Sequence, residues 1–317
     1  MRGNDIRGLL PCMAFRFSLH RILAVGFSLW ASWCSAQTVA LTFDDGLNPD
    51  KQHQAALWNS QLLDALQKHG IQSALFPALS SIGDADGLAL VAQWSRAGHW
   101  VGNHTASHRS LADPKVSLEA FIADVKSADA ALRSLPTFVP MLRFPYLREG
   151  DTQAKRDGMR DWMAQNRYRN GLVSIDASDW YYSRVYADHI KAGDTARAQS
   201  VKQRYVRHLL DRAAYYDGLA RKVLGRSPKH VMLLHTNPLN AAALPDVIAA
   251  LNAQGWTIVP ASAAFEDPLY AQAPDTLPAG ESIVWALAKA SKLADLRYPA
   301  EGSEYEEPLL RDAGLLP

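Results

Sequence analysis

The sequence predicts an α/β fold, a distorted (β/α) barrel of about seven strands with a C-terminal extension, and three observations carry that expectation. From Thr38 onward, short apolar runs alternate with longer segments of helical period, as in βα units around a parallel sheet. Gly70, Gly98 and Gly255 stand where the helical segments end, the position at which glycine terminates a helix most easily. Polar residues of catalytic type follow several apolar runs, placing them at the C-terminal ends of strands, the rim where parallel barrels build active sites.

Residues 1–36 read as a signal peptide. Arg16 and Arg21 precede the apolar run from Ile22 to Trp33, and small residues end at Ala36, so cleavage is expected between Ala36 and Gln37. The run is short for a bilayer span, and fold-like sequence starts directly after it, so no stable membrane insertion is expected after cleavage. Met13 is an alternative start before the same run, and Cys34, preceded by Trp33, fits a lipid-attachment site poorly. Cleavage would remove Cys12 and Cys34, which excludes disulfides, cysteine nucleophiles and sulfur-ligated zinc from the mature chain. Arg2, Arg7, Arg16, Arg21 and Asp5 would leave with them, moving the net charge from +1 to −2. Neither balance, nor any basic cluster, supports nucleic-acid binding. The expected location is exported, periplasmic or extracellular.

The strands are expected at Val39 to Phe43, Ser73 to Leu79, Trp100 to Asn103, Met141 to Phe144, Leu172 to Asp176, Val231 to Leu234 and Thr257 to Pro260. Amphipathic stretches between them include Leu57 to Lys68, Leu118 to Leu135 and Leu244 to Ala253. The stretch from Ala196 to Leu224, rich in Arg, Ala, Tyr and Leu at helical spacing, reads as an elaborated helix between two strands. After Phe265 the composition shifts, and five prolines interrupt one helix around Ser282 to Ala294. The expected division is therefore signal 1–36, main domain 37–265 and an extension, 266–317, packed on the barrel.

The chemistry sits after the strands. Asp44 and Asp45 adjoin at the first strand end with Gly46 to turn the chain; two like charges so close suit a site where a cation holds one and the other serves as base. A simple Asx-type turn would give the same three residues. His104 and His108 follow the third strand. Four apart, they share a face in a first helical turn, and a tight loop could converge them equally well. Two imidazoles and one carboxylate make an open metal site with positions left for water and substrate. The fourth, fifth and sixth strands lead into Arg143 to Tyr146, Asp176 to Trp180 and Leu233 to His235. Alone, each has a bland reading: an arginine paired at the surface, a core tryptophan, a packed histidine.

In order, the motifs are TFDDG (Thr42–Gly46), HTASH (His104–His108), RFPY (Arg143–Tyr146), DASDW (Asp176–Trp180) and LLH (Leu233–His235). Together they resemble the polysaccharide deacetylase family, carbohydrate esterase family four, with its nodulation-protein-type deacetylase domain. The resemblance implies a divalent metal, usually Zn2+, held by Asp45, His104 and His108, with Asp44 as general base and His235 as general acid. It further implies that Asp179 orients His235 and Arg143 holds Asp44 ionised. The backbone N–H of Tyr146 would help stabilise the oxyanion, while Trp180 and Leu233 wall an acetyl pocket. The implied partner is a polysaccharide or oligosaccharide whose sugar N-acetyl groups are hydrolysed, in peptidoglycan, a chitin-like chain or an exopolysaccharide.

Leu47 stands where many relatives have proline, and Leu147 to Gly150 where many have glycine. Both departures lie on loops over the expected cleft and put the accepted glycan in doubt, since no ligand or proton-transfer group is lost. The same machinery would serve O-deacetylation of an esterified glycan such as xylan. A catalytically inactive glycan-binding protein is the alternative from another class, although such a protein could discard Asp44 or His235 and this chain keeps both. A metal-independent sugar hydrolase with two carboxylates would be insensitive to chelators.

Overall fold

The computed structural model describes residues 37–298 and 300–316. The signal peptide expected at 1–36, with both cysteines, lies outside the described residues. Among these residues no helix is long and apolar enough to cross a membrane.

The chain runs β1 (Thr38–Asp45), α1 (Ala55–Lys68), β2 (Ala74–Pro77), α2 (Leu79–Ile82), α3 (Ala85–Arg96), β3 (Trp100–Asn103), α4 (Leu118–Leu132), β4 (Phe138–Leu142), β5 (Arg148–Gly150), α5 (Gln153–Gln165) and β6 (Arg169–Asn170). It continues with α6 (Asp179–Lys191), α7 (Thr195–Leu224), β7 (Lys229–His235), α8 (Pro238–Ala253), β8 (Thr257–Ile258), α9 (Ala261–Ala264), β9 (Ala279–Gly280), α10 (Ile283–Ala290) and α11 (Ser303–Asp312). The main sheet is seven-stranded, in the order β6-β4-β3-β2-β1-β7. Its strand pairs are parallel. The seventh strand, β8, pairs with the start of β1 at Thr38 and Val39, while β2 pairs with its end, from Thr42 to Asp45. This is the distorted, mostly parallel βα barrel that the alternating pattern predicts.

Strand interiors are apolar because helices cover them: Val39, Ala40, Leu41 and Phe43 of β1 and Val231, Met232 and Leu234 of β7 are wholly buried in one large core. Local chemistry sets the helix starts. Asp84, Ser117, Thr152, Asp194, Asn237 and Ser282 each accept a hydrogen bond from a first-turn amide of the helix that follows. At the helix ends, Gly70, Gly98 and Gly255 adopt positive φ, as expected.

The fifth expected strand requires correction. Leu172 to Asp176 forms no strand; its one bridge pairs Ile175 with Met232. The chain instead changes partners along this stretch: Arg169 and Asn170 pair with β4, Gly171 N–H donates to Leu142 O (2.7 Å), and Ile175 N–H donates to Val231 O on β7 (3.0 Å). An irregular crossing therefore links the two edges of the sheet where a continuous strand was expected. The fourth strand also sits earlier than expected, at Phe138–Leu142; beyond its end Arg143 reaches Asp44, while Phe144 is buried in a second apolar cluster, stacked on Phe121.

The stretch from Ala196 is a single 30-residue helix, α7, ended by Gly225 in the left-handed conformation. Beyond Phe265, β9 pairs antiparallel with β5, and Ile283 N–H donates to Val173 O (2.8 Å), so the tail is stitched to the barrel's irregular side. A second tail helix, α11, was not expected from the sequence; it forms despite Pro308 in its interior and buries Glu306 and Leu310.

Candidate active site

Register brings the first group together. In the parallel β1–β7 pair, Asp44 lies directly opposite His235. Thr236 stitches the two strand ends, its hydroxyl accepting from Gly46 N–H (2.8 Å) and its N–H donating to Asp44 O (3.2 Å). Gly46, at φ 92°, turns the chain where a β-carbon would lie 2.2 Å from Ile82.

Asp45, His104 and His108 each offer one ligand atom, and these atoms lie within 4.8 Å of one another. His108 Nε2 is 3.4 Å and His104 Nε2 3.9 Å from Asp45 Oδ1. A tight loop, not a helical turn, converges the histidines. Asn103 Oδ1 accepts from Thr105 N–H (2.8 Å), Thr105 Oγ1 accepts from His108 N–H (3.0 Å), and both Thr105 and His108 have positive φ. Asp45, Tyr146 and Leu147 share that uncommon conformation, so backbone strain gathers in the loops of one site.

The donor set fits a divalent cation. His104 Nδ1 lies 2.7 Å from Arg143 O; a carbonyl can only accept, so Nδ1 carries the proton and Nε2 turns its lone pair toward the carboxylates. Burial, aided by His108, pushes the His104 pKa down to about 3, which keeps it neutral and able to bind a metal.

Beside this set, Asp44 is almost wholly buried. Burial pushes its pKa up to about 6, while the Arg143 guanidinium, donating from Nη1 to Oδ1 at 2.9 Å, pulls it down. Arg143 is itself buried, donates to Gly171 O and Thr42 Oγ1, and stacks on Phe76 at 4.3 Å. Phe76 reaches that position because Gly102 leaves room; a β-carbon there would sit 2.4 Å from the ring.

On the opposite wall, His235 Nδ1 lies 2.6 Å from Asp179 Oδ1, and His235 N–H donates to Oδ2 at 2.8 Å. Burial disfavours the imidazolium, but the Asp179 charge and hydrogen bond outweigh it and push the His235 pKa up to about 10. Asn237 and Asn240 also donate to Asp179 Oδ2, at 3.0 and 2.8 Å. The sequence reading missed both. Asn237 was within reach of it, since an asparagine before Pro238 is a helix N-cap signal; nothing local marks Asn240.

All the residues singled out in the sequence belong to this one region. Asp44, Asp45, His104, His108, Tyr146, Trp180, Leu233 and His235 line a cleft of about 810 Å3, with Arg143 and Asp179 directly behind them. Tyr146 is 63% exposed and packs against His108 with ring centres 4.8 Å apart, and Trp180 is 43% exposed, so both present aromatic faces to the opening. Ser80 and Ser81 also line the cleft, and Ser81 Oγ lies 3.5 Å from Asp45 Oδ1; neither was anticipated.

The fold and site define a family of barrel hydrolase-type domains with a metal-competent rim, and comparison with known proteins narrows it. Residues 34–162 match the family model described as polysaccharide deacetylase. The match ends before Asp176 and His235. A peptidoglycan-N-acetylglucosamine deacetylase of Bacillus cereus is 29% identical over 143 residues, covering 45% of this chain and 46% of that protein. A chitin deacetylase of Arthroderma benhamiae is 28% identical over 152 residues, covering 46% of this chain and 36% of that protein. The chain thus spans less than half the length of these curated relatives. Among solved structures, a mutant of a family 4 carbohydrate esterase pseudoenzyme of Bacillus anthracis, with restored enzymatic activity, superposes with a TM-score of 0.51 at 16% identity. That superposition covers 73% of this chain and 68% of the other, and it speaks to the fold.

Proposed function

We propose that this protein is an exported, metal-dependent deacetylase that hydrolyses N-acetyl groups on the sugar units of a polysaccharide. One observation carries the reading: Asp45, His104 and His108 converge within a coordination sphere beside Asp44, while His235 sits opposite Asp44 across neighbouring strands. The relatives named for deacetylation of peptidoglycan and of chitin support the substrate class.

Asp45, His104 and His108 would hold the cation. Zinc suits this ligand set and the family resemblance. When bound, it supplies positive charge that polarises an acetamide carbonyl and acidifies a water molecule. Asp44, with a pKa near 6, takes the proton of the attacking water, and its pairing with Arg143 fixes the direction in which the carboxylate faces. As the carbonyl oxygen gains charge, the Tyr146 backbone N–H donates to it. His235, kept protonated by Asp179, gives its proton to the departing sugar amine from Nε2, because Nδ1 is committed to Asp179. Trp180 and Leu233 enclose the acetyl methyl group. Residues 1–36 serve as the export signal, 37–265 form the catalytic domain and 266–317 the extension.

The test is acetate release from defined N-acetylated glycans by the zinc-loaded protein, with O-acetylated xylan in parallel. Release from the xylan alone would move the reading to O-deacetylation. Release from no glycan, with glycan binding retained, would leave a binding protein.

A further inference from the structure

The C-terminal tail forms part of the cleft wall. Glu281, Glu301, Gly302, Ser303 and Glu304 line it together with Asp176 and Ser183. The loop that precedes α11 is held there by buried partners on the barrel side. Glu301 Oε1 accepts from Tyr216 O–H (2.9 Å) and lies 2.6 Å from Arg212 Nη2, both on α7. Glu306 Oε2 accepts from Tyr182 O–H (3.2 Å) and lies 3.3 Å from His208 Nδ1. Glu281 ties the other side, pairing with Arg148 Nη1 at 2.6 Å and accepting from Ala300 N–H at 3.1 Å. The long helix and the tail are thereby one device, and it presents the segment from Glu301 to Glu304 to the cleft.

That device is unbalanced in charge. Glu281 and Glu301 each have a guanidinium, whereas Asp176 and Glu304 have no cation within ion-pair distance among the described residues. The Glu304 carboxylate folds back over Gly302, where a β-carbon would lie 2.1 Å from it, so it stays beside the wall. Burial, with Glu301 and Glu281 nearby, pushes the Asp176 carboxyl well above its ordinary range. Burial likewise pushes Glu301 up to about 7, although Arg212 pulls the other way. Carboxyls that retain their protons are neutral and can donate to a sugar oxygen, which leaves the Glu304 carboxylate as the unpaired negative group of this wall. Lys51, on the loop after β1, is the one cleft-lining lysine or arginine without an acidic partner among the described residues.

Building on the deacetylase reading, we infer that the cleft selects N-acetylhexosamine glycans without carboxylate groups, and that Glu304, held in place through the Glu301–Arg212 pair, excludes acid-bearing ones. A chitin-like or amine-bearing homopolymer fits this wall. A glycan with a lactyl or uronic carboxylate on the neighbouring unit does not. Glu304 acts as a specificity residue; Arg212 and Tyr216 position the loop that carries it.

The experiment measures acetate release by the zinc-loaded full chain at low and high salt. It compares an N-acetylglucosamine tetramer with a tetramer in which N-acetylmuramic acid alternates, and includes a small neutral acetate ester. The unsubstituted protein should prefer the neutral tetramer by about tenfold or more in kcat/KM at low salt, with the ratio shrinking as salt screens the wall. Glu304→Gln should narrow the ratio, and Glu304→Lys should narrow it further, with ester turnover unchanged. Equal turnover of the two tetramers, or a ratio that Glu304→Lys leaves where it was, would overturn the inference while sparing the hydrolase. No acetate from any substrate, the ester included, would instead remove the function on which it rests.

Discussion

Asp44 and His235 face one another as register partners of two parallel strands, one carrying a carboxylate and the other an imidazole held by Asp179. Their environments push their pKa values apart, to about 6 and about 10, so that at neutral pH one can accept a proton and the other can donate.

Replacing Asp44 by Asn should therefore remove the base and leave the rest standing. Asparagine keeps an acceptor for Arg143 Nη1, so the fold should survive, and Asp45, His104 and His108 are untouched. The expected loss in kcat is about 10²- to 10⁴-fold, the usual range for general base catalysis. Zinc content, measured by elemental analysis, should stay at the unsubstituted level. Retained turnover in this variant would dismiss Asp44 from the mechanism.

Asp179 governs the other proton. With Asp179→Asn, the main influence that keeps His235 protonated disappears, while the burial that opposes the charge remains. The basic limb of the kcat profile should then move from near pH 10 toward lower pH, and the His235 ring should titrate lower by NMR. An unmoved limb would mean that another group supplies the proton.

Chelation provides a third test. Prolonged dialysis against a chelator should abolish acetate release, added zinc should restore it, and His108→Ala should lower metal occupancy without unfolding, because the His108 side chain is partly exposed, at 21%. A rate indifferent to chelation would favour a mechanism built on two carboxylates alone.

Arg143 couples the site to the core. Its guanidinium pairs with Asp44, caps Gly171 O and lies on Phe76, all out of contact with water. Arg143→Met would strand a buried carboxylate, at a cost of about 3–5 kcal/mol. Urea unfolding should show that loss. It should be smaller in the Asp44→Asn/Arg143→Met double variant, where no charge is left behind.

Acid stability should report His99. Its Nδ1 accepts from Ser73 N–H (3.1 Å), and burial pushes its pKa down to about 4. The unfolded chain takes up this proton near pH 6.5 and the folded one near 4. The contribution is therefore whole above about pH 6.5 and is lost as pH falls toward 4, about 3 kcal/mol in all. Unfolding curves for His99→Gln should show a shallower acid decline over that window.

The legible part of the fold came from local signals. Apolar runs marked β1, β3 and β7 nearly to the residue, and glycines marked the ends of α1, α3 and α8, because burial on both faces and left-handed termination are written within a few neighbouring residues. Leu172 to Asp176 misled because it is apolar and extended; its exchange of partners between β4 and β7 depends on strands elsewhere in the chain. The helix α11 was hidden by Pro299 and Pro308, since the burial of Glu306 and Leu310 that supports it is a tertiary contact.

By itself the sequence determined the kind of chemistry: which carboxylates, imidazoles and guanidinium occur, in what order, and that each follows an apolar run. Side-chain identity and strand ends are local properties, so these were open to reading. Only the tertiary structure decided that Asp45, His104 and His108 share one sphere, that a left-handed loop brings the histidines together, and that Asn237 and Asn240 join His235 around Asp179. It also made the tail a wall of the cleft. Those outcomes turn on register and packing between segments far apart in the chain, where a one-residue slip would send a side chain to the other face of the sheet.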